Sequence, residues 1–330
     1  MGILAVDVFR PTGKLMTMDS MGGEESTLLT CAAARADREQ FVLKVDAALR
    51  TLVRLKYFSW EIEGVENLPR RGPVVFVQNH AGWFALDTML VGCSIAEAIG
   101  VARAPYFAAH DAALSAPVIG PFLRRLGGVP ASLFRHPERL PAEIESFGIC
   151  PEGVQGNCKP FWEAYRMRTW SRAFVNLAIA RNAPVVPVSV LGGEECLPVA
   201  WTVRLLQPLI GSIVGLPVVP VPLPARWRIV FHEPVYVTPE GSPPRLDSSR
   251  CKSVAQQVQH VVQEALDREA QRRPLARLSS FVSIASETLR AESRGRLAPA
   301  ASRSAASGRP MPVACAAASD GHTAATTSLR

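Results

Sequence analysis

The sequence predicts an α/β protein in which a central sheet, mostly parallel or mixed, is flanked by helices. Two runs rich in β-branched residues, at 73–78 (PVVFVQ) and 184–191 (PVVPVSVL), indicate strands that are buried on both faces. Segments with the spacing of apolar residues that is typical of helices lie before, between and after these runs. Alternation of strands and helices along a chain indicates a layered α/β fold.

The first predicted element is an N-terminal amphipathic helix at residues 38–57. Apolar side chains recur there at helical spacing, and Lys44, Arg50 and Arg54 are interleaved with them. A basic amphipathic helix suits either the packed surface of a domain or the plane of a lipid bilayer. The sequence leaves both environments open for this helix.

The later elements follow from the same two periodicities. Short strands are expected at 60–65, 146–150 and 226–231. Helices are expected at 88–100, 111–126, 172–181 and 254–271.

Composition divides the chain into four parts. Residues 1–37 have weak periodicity and are expected to form an irregular leader, and residues 38–272 form the main domain. A helical extension is expected at 273–294. Residues 295–330 are mostly Ala, Ser, Thr, Gly and Pro, which cannot bury enough apolar area to offset the ordering entropy, so a disordered tail is expected.

The overall composition favours a membrane surface as a partner. The chain carries 36 Lys and Arg against 29 Asp and Glu, a formal charge of +7, and its mean hydropathy is +0.12. Residues 205–224 carry no charge, but five prolines interrupt them, so we expect an apolar loop and no transmembrane span. The basic residues are dispersed and form no known nucleic-acid-binding module, so nucleic acid is not an expected partner.

The seven cysteines are scattered along the chain and include no CxxC pair. This pattern argues against a disulfide framework and against a zinc site. We therefore expect a reducing compartment.

The segment at 78–87 (QNHAGWFALD) is the first candidate for chemistry. It places His80 directly after a predicted buried strand and Asp87 seven residues later. Side chains at the end of such a strand face the crevice where α/β proteins bind ligands, and a carboxylate-oriented histidine is a common general base. In a continuous helix the two Cα atoms would lie about 10 Å apart along the axis, so pairing requires a loop that folds back. The segment alone also fits a purely structural histidine.

A second block, at 150–159 (CPEGVQGNCK), follows a predicted strand. Its glycines permit unusual backbone angles and the close approach of a ligand, and Lys159 offers a positive charge for a phosphate. The block is not a P-loop, because the G-x-x-x-x-G-K-[ST] pattern is absent. By itself it indicates a turn.

Two weaker blocks complete the set. Residues 127–132 (GGVPAS) follow two arginines and indicate a turn with basic flanks. Residues 187–195 (PVSVLGGEE) are interpreted as a buried strand and the loop that leaves it.

The order and spacing of these four blocks resemble those of the glycerolipid acyltransferase superfamily, which includes the lysophosphatidic acid (1-acyl-sn-glycerol-3-phosphate) acyltransferases. The resemblance runs from about residue 61 to residue 237 and includes KPF at 159–161 with Tyr165, RAFVNLA at 172–178 and PLPARW at 222–227. Six residues separate His80 from Asp87, whereas four are commonest in the superfamily. The chain therefore resembles a divergent branch.

The resemblance implies a glycerol-3-phosphate acyltransferase-like fold for the main domain, with His80 as general base and Asp87 as the residue that orients it. In this superfamily the PEG segment helps to bind the acyl acceptor, and basic residues meet the acceptor's phosphate. The substrate-binding candidates are Glu152, Gly153, Lys159, Arg124 and Arg135.

The activity implied is the transfer of a fatty acyl group from acyl-CoA or acyl-carrier protein to a glycerolipid hydroxyl, in phospholipid biosynthesis. The acceptor expected first is 1-acylglycerol-3-phosphate; another lysolipid, a monoacylglycerol or a diacylglycerol is the alternative. No metal and no cofactor are expected. The expected location is the cytoplasmic side of a membrane, as a peripheral or monotopic protein.

Three other mechanisms or functions are open at this stage. Cys150, beside the PEG turn, offers a covalent route, although a cysteine at the end of a buried strand is more often a small apolar residue. A non-catalytic lipid-binding protein would share the fold but would have no need of a histidine–aspartate pair. A serine hydrolase is disfavoured, because no G-x-S-x-G sequence occurs.

Overall fold

A computed structural model describes residues 32–82, 85–205, 207, 212–237 and 248–273. All of them belong to one compact unit, Met1–Ile284. The strands are β1 (Phe58–Glu63), β2 (Val74–Gln78), β3 (Tyr106–Ala109), β4 (Gly128–Pro130), β5 (Ser146–Ile149), β6 (Val185–Leu191), β7 (Val199–Val203), β8 (Val214–Pro217) and β9 (Ala225–Phe231). The α-helices are α1 (Ala32–Arg54), α2 (Leu86–Ile99), α3 (Asp111–Ser115), α4 (Ile119–Leu126), α5 (Val154–Asn157), α6 (Ala173–Ala180), α7 (Gly193–Cys196) and α8 (Ser248–Ala270). Short 3₁₀ helices lie at Val65–Asn67, Val101–Arg103, Leu133–Arg135, Pro137–Arg139 and Phe161–Glu163.

Seven of the strands form one mixed sheet in the order β1-β9-β6-β2-β5-β3-β4. Strands β6, β2, β5, β3 and β4 run parallel to one another, and β1 and β9 run parallel to each other but antiparallel to β6. This architecture confirms the α/β class with a mostly parallel sheet. The carboxyl ends of β2, β5 and β6 therefore meet at one edge of the sheet, where ligands bind in this class of fold.

Strand β2 shows why the centre of the sheet forms a core on both faces. Side chains alternate across a strand, so Val74 and Phe76 face one side while Val75 and Val77 face the other. The first pair joins a cluster under α1 and α2, and the second pair joins a cluster under α6 and α8. All five residues of β2 and all seven of β6 are buried, which is why their sequences are apolar apart from Gln78 and Ser189.

The predicted helix at 111–126 is wrong as one element, because the structure breaks it into α3 and α4. Pro117 lies between them, and a proline lacks the backbone donor and disfavours helical angles in the residue before it. The predicted turn at 127–132 is also wrong in part, since Gly128–Pro130 forms β4 and pairs with β3.

Helix α1 begins at Ala32, so the expected leader 1–37 is too long by six residues. The apolar side of α1 packs on the domain, with Val42 and Leu49 buried. Arg38 is buried too, and its guanidinium donates to the carbonyl oxygens of Ala104 and Pro105. Of the two environments considered for this helix, the described structure shows the packed surface.

The charge-free stretch 205–224 contains secondary structure that the expected apolar loop did not include. Val214–Pro217 forms β8, which pairs antiparallel with β7 in a separate two-stranded sheet. Within the described ranges, no helix has the length and apolar character needed to cross a bilayer. The expected leader up to residue 31, the extension from 274 to 294 and the tail 295–330 lie outside the described residues.

Two glycines let the loop after β2 cross the loop after β6 with backbone against backbone. A Cβ atom on Gly82 would lie 2.4 Å from the carbonyl oxygen of Gly193, and one on Gly193 would lie 2.2 Å from that of Ala81. Gly82 also has a φ of +82°, which L-residues rarely adopt. This crossing fixes the chain immediately after His80.

Replacement of Gly82 with alanine tests this crossing against a matched control. Gly72 has a φ of +72° but has no atom near its missing Cβ, so Gly72→Ala should lose only about 1 kcal/mol from the positive φ. Gly82→Ala adds the overlap with the Gly193 carbonyl, and its free energy of unfolding should fall by at least about 1 kcal/mol more. Urea denaturation of both variants measures the difference; equal losses would contradict the crossing.

Candidate active site

Asn79 holds the chain in place just before the candidate base. Its side chain lies in the core, where Nδ2 donates to the Val190 carbonyl at 2.9 Å and Oδ1 accepts from the Val190 N–H at 2.8 Å. The side chain thus continues the pairing of β2 with β6 for one more residue. Sequence reasoning did not assign a role to Asn79, although its position between a buried strand and His80 was the available signal.

His80 and Asp87 form the pair that the sequence predicted. His80 Nδ1 lies 2.7 Å from Asp87 Oδ2, and Asp87 is fully buried in the first turn of α2. The loop between them folds back, and the same Oδ2 atom accepts the Ala81 N–H at 2.9 Å. The other oxygen, Oδ1, accepts the N–H of Thr88 at 2.7 Å and the Thr88 hydroxyl at 3.3 Å. Asp87 is therefore fixed by four donors and holds the imidazole of His80 in one orientation.

The environment of His80 favours the charged imidazolium. Burial acts against the charged form, but the Asp87 carboxylate and Cys150 outweigh it and hold the pKa of His80 well above its ordinary value. Because Nδ1 is bound to Asp87, Nε2 is the nitrogen left to exchange a proton with a substrate. The histidine side chain remains 13% exposed, which leaves that exchange accessible.

Glu152, predicted to bind the acceptor, instead bridges two parts of the backbone. It is 6% exposed; Oε1 accepts the His80 N–H at 3.1 Å and Oε2 accepts the Arg168 N–H at 2.6 Å. Gly156 makes room for it, because a Cβ there would lie 2.7 Å from the Glu152 Cβ. Both carboxylate oxygens are thus occupied by backbone donors, which makes Glu152 a residue that positions His80.

A cavity of about 680 Å³ has His80 in its wall, a volume typical of sites for small molecules. Its lining is mostly apolar or small and comes from α2, β3, α3, α4, β5 and β8; it includes Met89, Phe107, Leu123, Ile149 and Val214. The polar or ionisable side chains on the wall include those of Thr88, Arg135, Asn157, Cys150 and Cys158. Such a cavity suits a long apolar group with a reactive end near His80.

Three of the predicted binding residues differ in their relation to this cavity. Gly153 lines it with φ +57° and ψ −151°, a combination that only glycine adopts readily. Arg135 also lines it, on an exposed 3₁₀ helix, and its guanidinium has no ion pair or hydrogen bond to the described residues. Arg124 is exposed in the last turn of α4 but is not part of the cavity wall. The structure therefore brings Arg135 and Gly153 to the site and leaves Arg124 outside it.

Lys159 is not placed to meet a phosphate. Its side chain is 1% exposed, and Nζ lies 3.0 Å from Oε1 of Glu194, whose side chain is 4% exposed. Burial lowers the pKa of Lys159, but Glu194 and Glu152 more than offset it, so the net shift is upward. The same Glu194 oxygen accepts the Tyr165 N–H at 3.1 Å. Lys159 thus neutralises a buried carboxylate, and the GGEE block supplies that carboxylate.

The C-terminal helix α8 holds the loop that reaches Glu152. Gln263 donates to the Tyr165 carbonyl at 2.8 Å and accepts the Met167 N–H at 3.0 Å, while Gln259 donates to the Arg168 carbonyl at 3.0 Å. The Arg168 N–H in turn binds Glu152. A continuous set of hydrogen bonds thereby connects α8 to the backbone of His80.

Cys150 lies beside the histidine–aspartate pair. One ligand-type atom from each of Cys150, His80 and Asp87 lies within 4.8 Å of the others, which among the described residues makes them a set that could hold a metal ion. Hydrogen bonds already occupy both oxygens of Asp87, so a metal ion would have to displace donors that the fold supplies.

Removal of Lys159 distinguishes a structural role from phosphate binding. Lys159→Met leaves Glu194 buried and unpaired, so the free energy of unfolding should fall by about 3–5 kcal/mol. The double variant Lys159→Met/Glu194→Gln removes the charge while keeping an acceptor for Tyr165, and it should recover much of that loss. Thermal and urea denaturation measure the stability of the single and the double variant. A stable Lys159→Met protein with a raised KM for a phosphorylated acceptor would instead favour phosphate binding.

Part of this chain matches a known protein family. The family model described as Acyltransferase matches residues 59–191. Uncharacterized proteins of Mycobacterium bovis and Mycobacterium tuberculosis are each 34% identical over 236 residues, and one of Mycobacterium leprae is 32% identical over 237. These alignments cover 67–68% of this chain and 64–65% of the relatives, so the chain spans slightly less than two thirds of their length.

One solved structure has a similar fold. It is the crystal structure of the 1-acyl-sn-glycerophosphate (LPA) acyltransferase PlsC from Thermotoga maritima, with a TM-score of 0.47 and 18% sequence identity. The likeness covers 76% of this chain and 87% of that chain.

The span matched by the family model contains the histidine block, the glycine block, the PEG block and the buried strand of the fourth block, in the order found by sequence analysis. Residues 59–191, which carry these blocks, therefore match the Acyltransferase family.

Proposed function

We propose that the protein transfers a fatty acyl group from a thioester donor to the hydroxyl of a glycerolipid, with His80 as general base. The observation that carries this proposal is the His80–Asp87 pair, of which His80 lies in the wall of a large apolar cavity. The pair supplies a proton acceptor, and the cavity supplies room for an acyl chain. The donor is acyl-CoA or acyl-carrier protein, and the reaction as proposed uses no metal and no cofactor.

The proposed mechanism uses each ring nitrogen of His80 separately. The acceptor hydroxyl oxygen attacks the thioester carbonyl while Nε2 takes the hydroxyl proton, and Asp87 stabilises the imidazolium that forms. Collapse of the tetrahedral intermediate breaks the carbon–sulfur bond, and the imidazolium returns the proton to the departing thiolate. The products are the acylated lipid and the free thiol, and His80 is neutral again.

Arg135 is our candidate for binding the acceptor's phosphate. Its guanidinium is free of partners among the described residues and belongs to the cavity wall. A guanidinium binds phosphate through paired hydrogen bonds, so its presence favours a phosphorylated acceptor, with 1-acylglycerol-3-phosphate as the first choice. Another lysolipid, or a monoacyl- or diacylglycerol, is the alternative acceptor. Such substrates would make this a step of phospholipid biosynthesis at the cytoplasmic face of a membrane.

A non-catalytic lipid-binding protein is the second candidate, because the apolar cavity alone would serve that function. The four donors around Asp87 argue for catalysis, since lipid binding gains nothing from a carboxylate that orients a histidine. Cys150 lies close enough for a covalent route, but Asp87 and Glu152 are arranged around His80.

An acceptor screen with His80→Ala tests the proposed activity. Purified protein would receive labelled acyl-CoA with lysophosphatidic acid, other lysophospholipids, monoacylglycerol or diacylglycerol, and labelled products would be separated by chromatography. We expect transfer to lysophosphatidic acid and a loss of about 10³-fold in His80→Ala, as for removal of other general bases. Cys150→Ala serves as the control for a covalent route. Binding of lipid without transfer to any acceptor would instead support the second candidate.

The pH dependence tests the pairing of His80 with Asp87. Because the pKa of His80 is raised, the neutral base should become more abundant as pH rises above neutrality, and kcat/KM should increase with it. Asp87→Asn removes the main group that raises this pKa, so the midpoint should move to lower pH and the maximal rate should fall. Glu145→Gln, a change at an exposed carboxylate, is the control. An unchanged midpoint in Asp87→Asn would contradict the pairing.

A further inference from the structure

The small sheet of β7 and β8 exposes apolar side chains on one face. Trp201 and Leu216 are direct partners across the two strands, and they are 68% and 49% exposed. Val199 and Gly215, earlier in the same two strands, are buried, and the strand pairing is irregular between Val199 and Trp201. Large apolar side chains that face each other on the outside of a sheet form a patch of the kind that marks an interaction surface.

Further exposed apolar side chains follow each of the two strands. Leu205 after β7 is 88% exposed, and Val218 and Val221 after β8 are 53% and 58% exposed. The Trp201 ring meets the edge of the Trp162 ring at 6.3 Å between centroids, which holds the exposed indole in place. We call Trp201, Leu205, Leu216, Val218 and Val221 the hairpin face.

The charge around the hairpin face is basic. No Asp or Glu occurs from residue 197 to residue 232, while Arg204 lies within that stretch and is exposed. The Tyr57 hydroxyl donates to the Pro222 carbonyl at 2.6 Å, which brings the exposed Lys56 beside the same segment. An exposed apolar face on a stretch of chain that carries arginine and no acidic residue complements an anionic lipid surface.

The hairpin face is continuous with the cavity that contains His80. Ser212, Ile213, Val214 and Gly215 line that cavity, and Leu216 of the same strand belongs to the hairpin face. One short strand therefore has its beginning in the cavity wall and its end on the exposed face.

We propose that the hairpin face is the surface through which the protein docks on an anionic lipid bilayer. The choice of a bilayer over a protein partner rests on the proposed function, which requires a lipid acceptor. In this docked orientation the bilayer lies next to β8, the strand that forms part of the cavity wall. Trp201 and Leu216 enter the interfacial region, and Arg204 and Lys56 contact the anionic headgroups.

Vesicle co-sedimentation of the full chain tests this proposal without any turnover. The vesicles are phosphatidylcholine with about one third phosphatidylglycerol, compared with phosphatidylcholine alone. The test variant is Trp201→Ser/Leu216→Ser. The matched control, Tyr236→Ser/Val65→Ser, also replaces one exposed aromatic and one exposed aliphatic residue. The control residue Tyr236 lies away from the carboxyl end of β6, because its neighbour Val235 pairs with Val185 at the start of that strand.

The expected result is that the unmodified protein and the control bind anionic vesicles alike, while the test variant loses roughly tenfold or more in affinity. If the test variant does not fold, as judged by circular dichroism, Val218→Ser/Val221→Ser replaces it. Equal vesicle binding by test variant and control would overturn the proposal. The proposal would also be overturned if the unmodified protein did not bind vesicles but formed a dimer that the test variant could not form. The hairpin face would then bind a second copy of the chain.

This outcome is separable from that of the proposed activity. His80→Ala should bind vesicles as the unmodified protein does, because the substitution lies away from the hairpin face. If the unmodified protein transfers acyl groups to dispersed acceptors but does not bind anionic vesicles, the docking surface alone is overturned. Vesicle binding without any acyl transfer would overturn the proposed function alone.

Discussion

The buried carboxylate of Glu152 is the interaction on which the rest of the site depends. A carboxylate at this depth is stable only when donors replace the water it has lost, and here the backbone N–H groups of His80 and Arg168 do so. The two donors come from loops that no strand pairing joins. Through Glu152 the histidine loop is tied to the 165–168 segment, and through Gln263 that segment is tied to α8. His80 is thus positioned by hydrogen bonds that run through Glu152 and the 165–168 segment to α8.

Charge at this edge of the sheet explains the state of the base. Asp87, Glu152 and Glu194 are buried at or near the ends of β2, β5 and β6, and Lys159 is the buried cation that faces them within the described part of the chain. The charge of Asp87, together with Cys150, favours a proton on His80. The same charge would stabilise the imidazolium in the proposed transition state. The raised pKa of His80 in the resting protein and the stabilisation of the transition state during acyl transfer therefore have one cause.

Sequence reasoning predicted the features that follow from apolar periodicity and from the spacing of the blocks. It missed the features that depend on which side chains are buried together. Strands β2 and β6 and the His80–Asp87 pair were predicted, because long apolar runs and ordered blocks are local signals. Strands β3, β4, β7 and β8 have three to five residues each, too few to show a period. Lys159 was interpreted as a phosphate ligand, because a sequence does not show that a lysine is buried beside Glu194. Phosphate recognition by Arg135 stays a prediction.

The docking surface that we propose lies on a different element from the one that the sequence first suggested for contact with a bilayer. The basic amphipathic helix was the obvious candidate, but Val42 and Leu49 of α1 are packed in the core, so its apolar side is already used. Prolines in the stretch 205–224 oppose a helix that could cross a bilayer, yet Leu205, Leu216, Val218 and Val221 within it are exposed. A lipid that enters beside β8 would reach the cavity without exposing its chain to water. An interfacial apolar surface next to the cavity is what an enzyme acting on membrane lipids requires.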